Sequence, residues 1–148
     1  MNIKKILIAT HGKLARGIKD TLEIVSGPQD NVTSLCFYSE NHEVNQKELL
    51  NVFDNLKNDE QLIICTDIQY GSVNQILVRE TLNNQDKNIE IISGINLPVM
   101  LEIITTPGIL LKNQLEEMVE KASKQLVRID LEAVFKNNVD DDIFGDER

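Results

Sequence analysis

Four short apolar runs constrain this chain more than any other feature, because each is closed by a turn and followed by residues with helical periodicity. The runs are Lys4 to Thr10, Val32 to Phe37, Gln61 to Thr66 and Ile89 to Ser93. Their β-branched content and bounded length predict strands buried on both faces. Strands separated by helices run parallel, and each parallel connection needs a crossover that is right-handed in nearly every case. The predicted class is therefore α/β: a doubly wound, mainly parallel four-stranded sheet with helices on both faces. For this many strands the commonest order is flavodoxin-like, 2-1-3-4, with strand one between strands two and three.

The intervening segments carry helix signals. After His11-Gly12, the residues Leu14, Ala15, Ile18, Leu22 and Val25 keep helical spacing until Gly27-Pro28 stops them. A second helix is expected from about Glu43 to Lys57, with Leu49, Val52, Phe53 and Leu56 on one face. A third begins near Val73. Asn96 is placed to cap a short helix ending near Thr105, with Pro98 in the first turn, where a missing N–H costs nothing. Beyond Pro107-Gly108 a longer helix is expected from about Leu111 to Gln125, with Leu111, Leu115, Met118, Val119 and Ala122 on its buried stripe. Leu126 to Leu131 then switches to period two, which predicts a late strand packed on one face and in need of a sheet edge. The acidic stretch from Asn137 to Arg148 reads as a mobile tail. One domain over residues 1–131 and a C-terminal segment over 132–148 is the expected organisation.

Charge and hydropathy narrow the function. Acidic residues outnumber basic ones 24 to 15, and a net charge of -9 repels phosphate backbones and anionic lipid, which excludes nucleic acid as a partner. No apolar run approaches the roughly 18 residues of a spanning helix, so a cytoplasmic protein with no direct membrane insertion is expected. Cys36 and Cys65 lack CxxC spacing and lie in predicted strands, where a free thiol behaves as a small apolar group.

Doubly wound sheets bind ligands at the carboxyl ends of strands where the order reverses, here between strands one and three. Thr10-His11-Gly12 and Asp67 through Ser72 occupy those ends, so His11 and Asp67 become neighbours. A histidine nucleophile needs one ring nitrogen unprotonated, and a carboxylate on the other N–H fixes that tautomer. A helix starting just after His11 offers free N–H groups and a positive dipole end to a phosphoryl group. The candidate site is thus His11 as nucleophile, Asp67 as the acid that orients it, and Thr10, Gly12, Gly71 and Ser72 around the phosphate. Ser72 equally fits a helix cap at Val73, and capping is the favoured reading for it taken alone. His42, in a polar loop, reads as a surface residue. No metal and no cofactor is required.

The motifs Ile8-Ala9-Thr10-His11-Gly12, Gly27-Pro28-Gln29-Asp30-Asn31-Val32, Thr66-Asp67-Ile68-Gln69-Tyr70-Gly71-Ser72 and Ser93-Gly94-Ile95-Asn96-Leu97-Pro98 occur in this order. Together they make residues 3 to 131 resemble the mannose-family IIA proteins of the bacterial sugar phosphotransferase system. The resemblance implies a phosphotransferase component in which His11 accepts a phosphoryl group on Nε2 from phospho-HPr. It implies that Asp67 hydrogen-bonds the imidazole and that a histidine of a IIB component is the next acceptor, with IIC and IID membrane subunits moving the sugar. It further implies a homodimer whose late strand, about Val127 to Leu131 here, crosses to the partner's sheet. Many members carry a glycine pair and a proline in the loop where this chain has Tyr70-Gly71-Ser72-Val73, so the loop atoms around the phosphate are open.

Three other readings are weighed. The phosphoryl-donor subunit of a phosphotransferase-dependent dihydroxyacetone kinase has a similar domain and the same histidine chemistry; the Gly94 to Pro98 segment favours the transporter. A receiver domain phosphorylated on Asp67 needs Mg²⁺ held by carboxylates after strand one, and Ala9-Thr10-His11 offers none. A flavodoxin-like cofactor binder lacks both a Ser/Thr-rich phosphate loop and aromatics to stack on a flavin.

Overall fold

The computed structural model describes residues 3–39 and 42–140, the side chains at 42–44 and 138–140 excepted. The elements run β1 (Ile3–His11), α1 (Leu14–Ser26), β2 (Val32–Phe37), α2 (His42–Asp54), β3 (Glu60–Thr66), α3 (Ser72–Leu82), β4 (Asn88–Ser93), α4 (Leu97–Thr105), α5 (Lys112–Ser123) and α6 (Leu131–Asp140). The sheet has the order β2-β1-β3-β4 and every pairing is parallel, as the alternating pattern predicts.

Strand alternation divides the core in two. Ile6 and Ile8 point to one face, where they meet Ala15 and Leu22 of α1, Val99, Met100 and Ile103 of α4, and Leu115 and Met118 of α5. Leu7 and Ala9 point to the other, against Leu49 and Phe53 of α2 and Val73 and Leu77 of α3. Right-handed crossovers dictate this division: the chain moves one way from β1 to β2, then doubles back across β1 to β3 and β4, so the helices change face. Phe37 and Phe53 are fully buried, and each contributes about 1.5–3 kcal/mol by leaving water. Cys36 and Cys65 are both free and buried within the sheet.

Helix signals are realised with narrower faces than expected. The Asn96 side chain accepts the N–H of Val99 at 3.0 Å and caps α4, with Pro98 in the first turn. In α1, Ala15 and Leu22 are buried but Leu14 and Val25 are exposed. At 100° per residue these two lie roughly 60–80° around the helix from Leu22, beyond the line of contact. In α5, Leu115, Met118 and Ala122 are buried, whereas Leu111 sits outside the helix as its N-cap and Val119 borders an open groove; both are exposed. That groove, about 450 Å³, lies between α5 and the free edge of β4.

The C-terminal part departs most from expectation. Among the described residues the sheet has four strands, and the period-two segment 126–130 joins none of them. A strand is stable only against an edge that satisfies its backbone. Leu126, Val127, Ile129 and Leu131 therefore stay exposed, and residues 131–140 continue as the helix α6, which the acidic composition had concealed. His42 lends its backbone to the start of α2, but its side chain lies outside the described residues, as do the acidic residues 141–148. Among the described residues, no helix is long and apolar enough to cross a membrane.

Candidate functional site

The carboxyl ends of β1, β2 and β3 converge where the strand order reverses. His11 is the last residue of β1 and lies in register with Phe37 of β2, while Ala9 pairs with Thr66 of β3. Asp67, the first residue beyond β3, thereby reaches His11 across 56 positions of sequence. Its Oδ2 accepts two hydrogen bonds at 2.9 Å, one from the backbone N–H of His11 and one from the ring Nδ1–H. Its Oδ1 accepts the N–H of Ile68 at 3.0 Å.

Burial by itself would raise the Asp67 carboxyl, but the hydrogen bonds from the backbone and ring of His11 outweigh it and hold the group below the usual carboxylate range. An ionised Asp67 has no proton to give, so the ring proton resides on Nδ1 and Nε2 presents its lone pair. Nε2 faces Ser72 Oγ at 3.2 Å. The phenol of Tyr38 donates to the same Oγ at 3.1 Å, and the Tyr38 ring stacks on the imidazole with centroids 5.6 Å apart and planes inclined by 27°.

Ser72 does not cap. The N-cap of α3 is Gly71, without a side-chain hydrogen bond, and Ser72 is the first helical residue. The first amide bonded within this helix is Gln75, to Gly71 O at 2.9 Å, so the amides of Ser72, Val73 and Asn74 precede the ladder. The positive end of α3 consequently lies beside Nε2, a role the sequence had assigned to α1. Gly71 leaves room beside the ring: a Cβ there would come within 3.4 Å of His11 Cε1 and 3.2 Å of Ile68 O.

The remaining predicted residues serve the scaffold. Thr10 is fully buried, and its Oγ1 accepts the Ala15 N–H at 2.8 Å, tying down the first turn of α1. Gly12 turns the chain at φ +58°, and its N–H is spent on Phe37 O at 2.7 Å. The Asp67–Gly71 loop is braced by Asn74, whose Nδ2 donates to Thr66 Oγ1 at 3.0 Å and whose Oδ1 accepts the Tyr70 N–H at 3.3 Å. Tyr38 (φ 60°) and Tyr70 (φ 63°) both hold left-handed backbone, which costs a side-chain-bearing residue about 1–2 kcal/mol. Among the described residues no group of three His, Cys, Asp or Glu side chains is placed to hold a metal ion.

An imidazole fixed by a carboxylate, with its free nitrogen at a helix N-terminus and a hydroxyl, has the arrangement that a phosphoryl-accepting histidine requires. The model of the EIIA-man family, described as PTS system fructose IIA component, matches residues 5–123. The chain belongs to this family.

Solved PTS IIA proteins share the architecture. The PTS IIA protein associated with the fucose utilization operon of Streptococcus pneumoniae is 28% identical, with a TM-score of 0.70 over 85% of this chain and 93% of that one. The phosphotransferase system component EIIA from Streptococcus agalactiae is 23% identical, with a TM-score of 0.70 over 88% and 99%. The mannose/sorbose specific IIA subunit from Enterococcus faecalis is 13% identical, with a TM-score of 0.73 over 86% and 96%. The last two likenesses speak to the fold alone. As an EIIA-man protein the chain is a phosphoryl carrier of the phosphotransferase system. Tyr38, Thr66 and Asn74 escaped the sequence reading. For Tyr38 the signal was the predicted order itself, since placing β2 beside β1 brings the residue after β2 to the same rim.

Proposed function

We propose that His11 is the phosphoryl-carrying residue, taking its group from phospho-HPr and passing it to a IIB component that serves sugar uptake. The observation that carries this reading is the split of the imidazole: Nδ1–H on Asp67 at 2.9 Å, Nε2 turned to Ser72 at 3.2 Å and the N-terminus of α3.

The chemistry is set by that split. The Nε2 lone pair attacks phosphorus in line with the donor's P–N bond; an Nε2–P bond forms, the donor's P–N bond breaks, and the donor imidazole leaves with the electron pair. Positive charge grows on the His11 ring as the bond forms, and Asp67 stabilises it without taking the proton from Nδ1. The Ser72 hydroxyl and the first amides of α3 are the donors available to phosphoryl oxygens. In the second transfer Nε2 becomes the leaving nitrogen and recovers its lone pair. Thr10 and Gly12 act behind this arrangement, since their polar groups are already engaged by Ala15 and Phe37. Asp67 itself makes a poor phosphoryl acceptor, because both carboxylate oxygens already accept hydrogen bonds.

Family membership also supports a homodimer. The open edge of β4, the groove beside it and the exposed Leu126, Val127 and Ile129 are complementary features for strand addition by a second copy. In this reading residues 1–131 form the carrier unit and 132–148 an accessory segment.

The test is phosphorylation by enzyme I, HPr and phosphoenolpyruvate, with mapping of the labelled residue. The label is expected on Nε2 of His11. The His11→Ala variant should fold and take up no label; persistent labelling of that variant refutes the assignment.

A further inference from the structure

Beyond Asp67 and Ser72, a third side chain bears on the His11 imidazole. Tyr38 follows β2, with its phenol 3.1 Å from Ser72 Oγ and its ring stacked on the imidazole at 5.6 Å. The direction of each hydrogen bond can be deduced from the carboxylate outward. Asp67 only accepts, so Nδ1 donates to it and Nε2 must accept. Ser72 has a single hydroxyl hydrogen, and the contact with Nε2 at 3.2 Å uses it. Oγ is then left with acceptor capacity alone, so Tyr38 is the donor. The four groups form one chain with a single polarity: Tyr38 O–H to Ser72 O–H to Nε2, and Nδ1–H to Asp67.

We infer that Tyr38 is a positioning residue for phosphoryl transfer, acting through Ser72. This rests on His11 being the acceptor. A serine hydroxyl rotates freely about χ1, and a donor at Oγ restricts that rotation. When phosphorus takes the Nε2 lone pair, the Ser72 hydrogen must leave the nitrogen and can pass to a phosphoryl oxygen. With Tyr38 holding Oγ, that hydrogen moves by rotation about a fixed atom, and the donor is in place when charge develops. Tyr38 also occupies a backbone conformation that is unfavourable for any residue with a side chain, φ 60°. Such outliers persist where the surroundings hold them, and they cluster at functional sites. Half-exposed and next to the imidazole, the ring covers one face of His11 and leaves Nε2 to the incoming group.

The experiment compares wild type, Tyr38→Phe, Ser72→Ala and the double variant. Tyr38→Phe keeps the ring and removes only the hydroxyl. In the unphosphorylated protein, ¹⁵N imidazole spectroscopy of His11 should show Nε2 shifted by Tyr38→Phe while Nδ1 remains protonated. In single-turnover phosphorylation by phospho-HPr, the rate at saturating donor should fall about 3–10-fold, the range of one neutral hydrogen bond, with the half-saturating donor concentration unchanged. Added to Ser72→Ala, Tyr38→Phe should have no further effect. An unmoved Nε2 resonance overturns the inference, as does an equal slowing in the Ser72→Ala background, which would place Tyr38 in donor docking. The spectroscopic arm needs no phosphoryl group, so it decides the hydrogen-bond chain even if labelling of wild type falls elsewhere than His11.

Discussion

Replacing Asp67 by asparagine removes a charge at nearly constant shape, and the hydrogen bonds around that carboxylate dictate the outcome. One oxygen accepts both the backbone N–H and the Nδ1–H of His11, and the other accepts the Ile68 N–H. An amide has only one acceptor oxygen. If it faces His11, its NH₂ confronts the Ile68 N–H; if it faces Ile68, the NH₂ confronts two His11 donors and drives the ring proton to Nε2, the tautomer that cannot attack. The charge adds to this. A unit pair about 4 Å apart at an effective dielectric near 20 is worth about 4 kcal/mol, and the imidazole, with 37% of its side chain exposed, retains only part of it. Retention of about 2–3 kcal/mol corresponds to roughly 30–150-fold in rate. Single-turnover transfer from phospho-HPr, with the tautomer read by ¹⁵N spectroscopy, measures both consequences.

The same substitution has a pH signature. Because the Asp67 carboxyl is lower in the folded protein than in the unfolded chain, the unfolded chain binds the proton more tightly. The stability it confers is complete above the unfolded value, near pH 4, and drains away as pH falls through the folded one. Asparagine should flatten that acid limb. Transfer at the wild-type rate together with an unchanged acid limb would refute the argument that Asp67 sets the tautomer.

Gly71→Ala would place a methyl 3.4 Å from His11 Cε1 and 3.2 Å from Ile68 O, at a backbone conformation alanine tolerates, so the fold should survive while transfer slows about tenfold, short of the ~10²-fold of a 1 Å misplacement; wild-type kinetics would show that the ring has room to spare. Cys65 is fully buried and its thiol is pushed up to about 12 by desolvation, so iodoacetamide at pH 8 should leave it unmodified in the native protein and label it after denaturation. Rapid native labelling, detected by mass spectrometry, would contradict the packing of β3.

The parts of this molecule that were legible in the sequence are those in which local pattern and global topology agree. Bounded apolar runs were expected to be buried on both faces; β3 is, along its whole length, while the edge strand β4 fully buries only Ile92. Once four such runs alternate with helices, handedness leaves few arrangements, and the one adopted brings His11 and Asp67 together. Legibility failed where a residue's role depended on its neighbours' hydrogen bonds. Thr10 follows the strand's alternation inward and holds the Ala15 N–H in the first turn of α1, while Ser72, which looked like a cap, is displaced by Gly71 and turns to the imidazole. Tyr38 was hidden because nothing near it in sequence signals chemistry. Among the described residues the segment 126–131 pairs with no strand of its own chain, because period two describes a strand's faces but supplies no edge for it to pair with.

The site's electrostatics suit a carrier more than a permanently modified protein. A phosphoryl group on Nε2 and the Asp67 carboxylate would face each other across the ring at about 7 Å, where repulsion is roughly 2 kcal/mol per charge pair at an effective dielectric near 20. The N-terminus of α3 returns only about 0.3–1 kcal/mol, and up to ~2 when partly buried. A charge-assisted hydrogen bond from Ser72 adds about 1.5–3 kcal/mol. These opposing quantities are of similar size, so the phosphoryl group is neither expelled nor trapped. On the proposed function Asp67 would act in both directions: it would favour attack by stabilising the charge that grows on the ring, and it would raise the energy of the product enough for the next imidazole to take the group. Moving that balance one way, by removing the carboxylate, should slow the first transfer and leave whatever phosphohistidine does form harder to discharge.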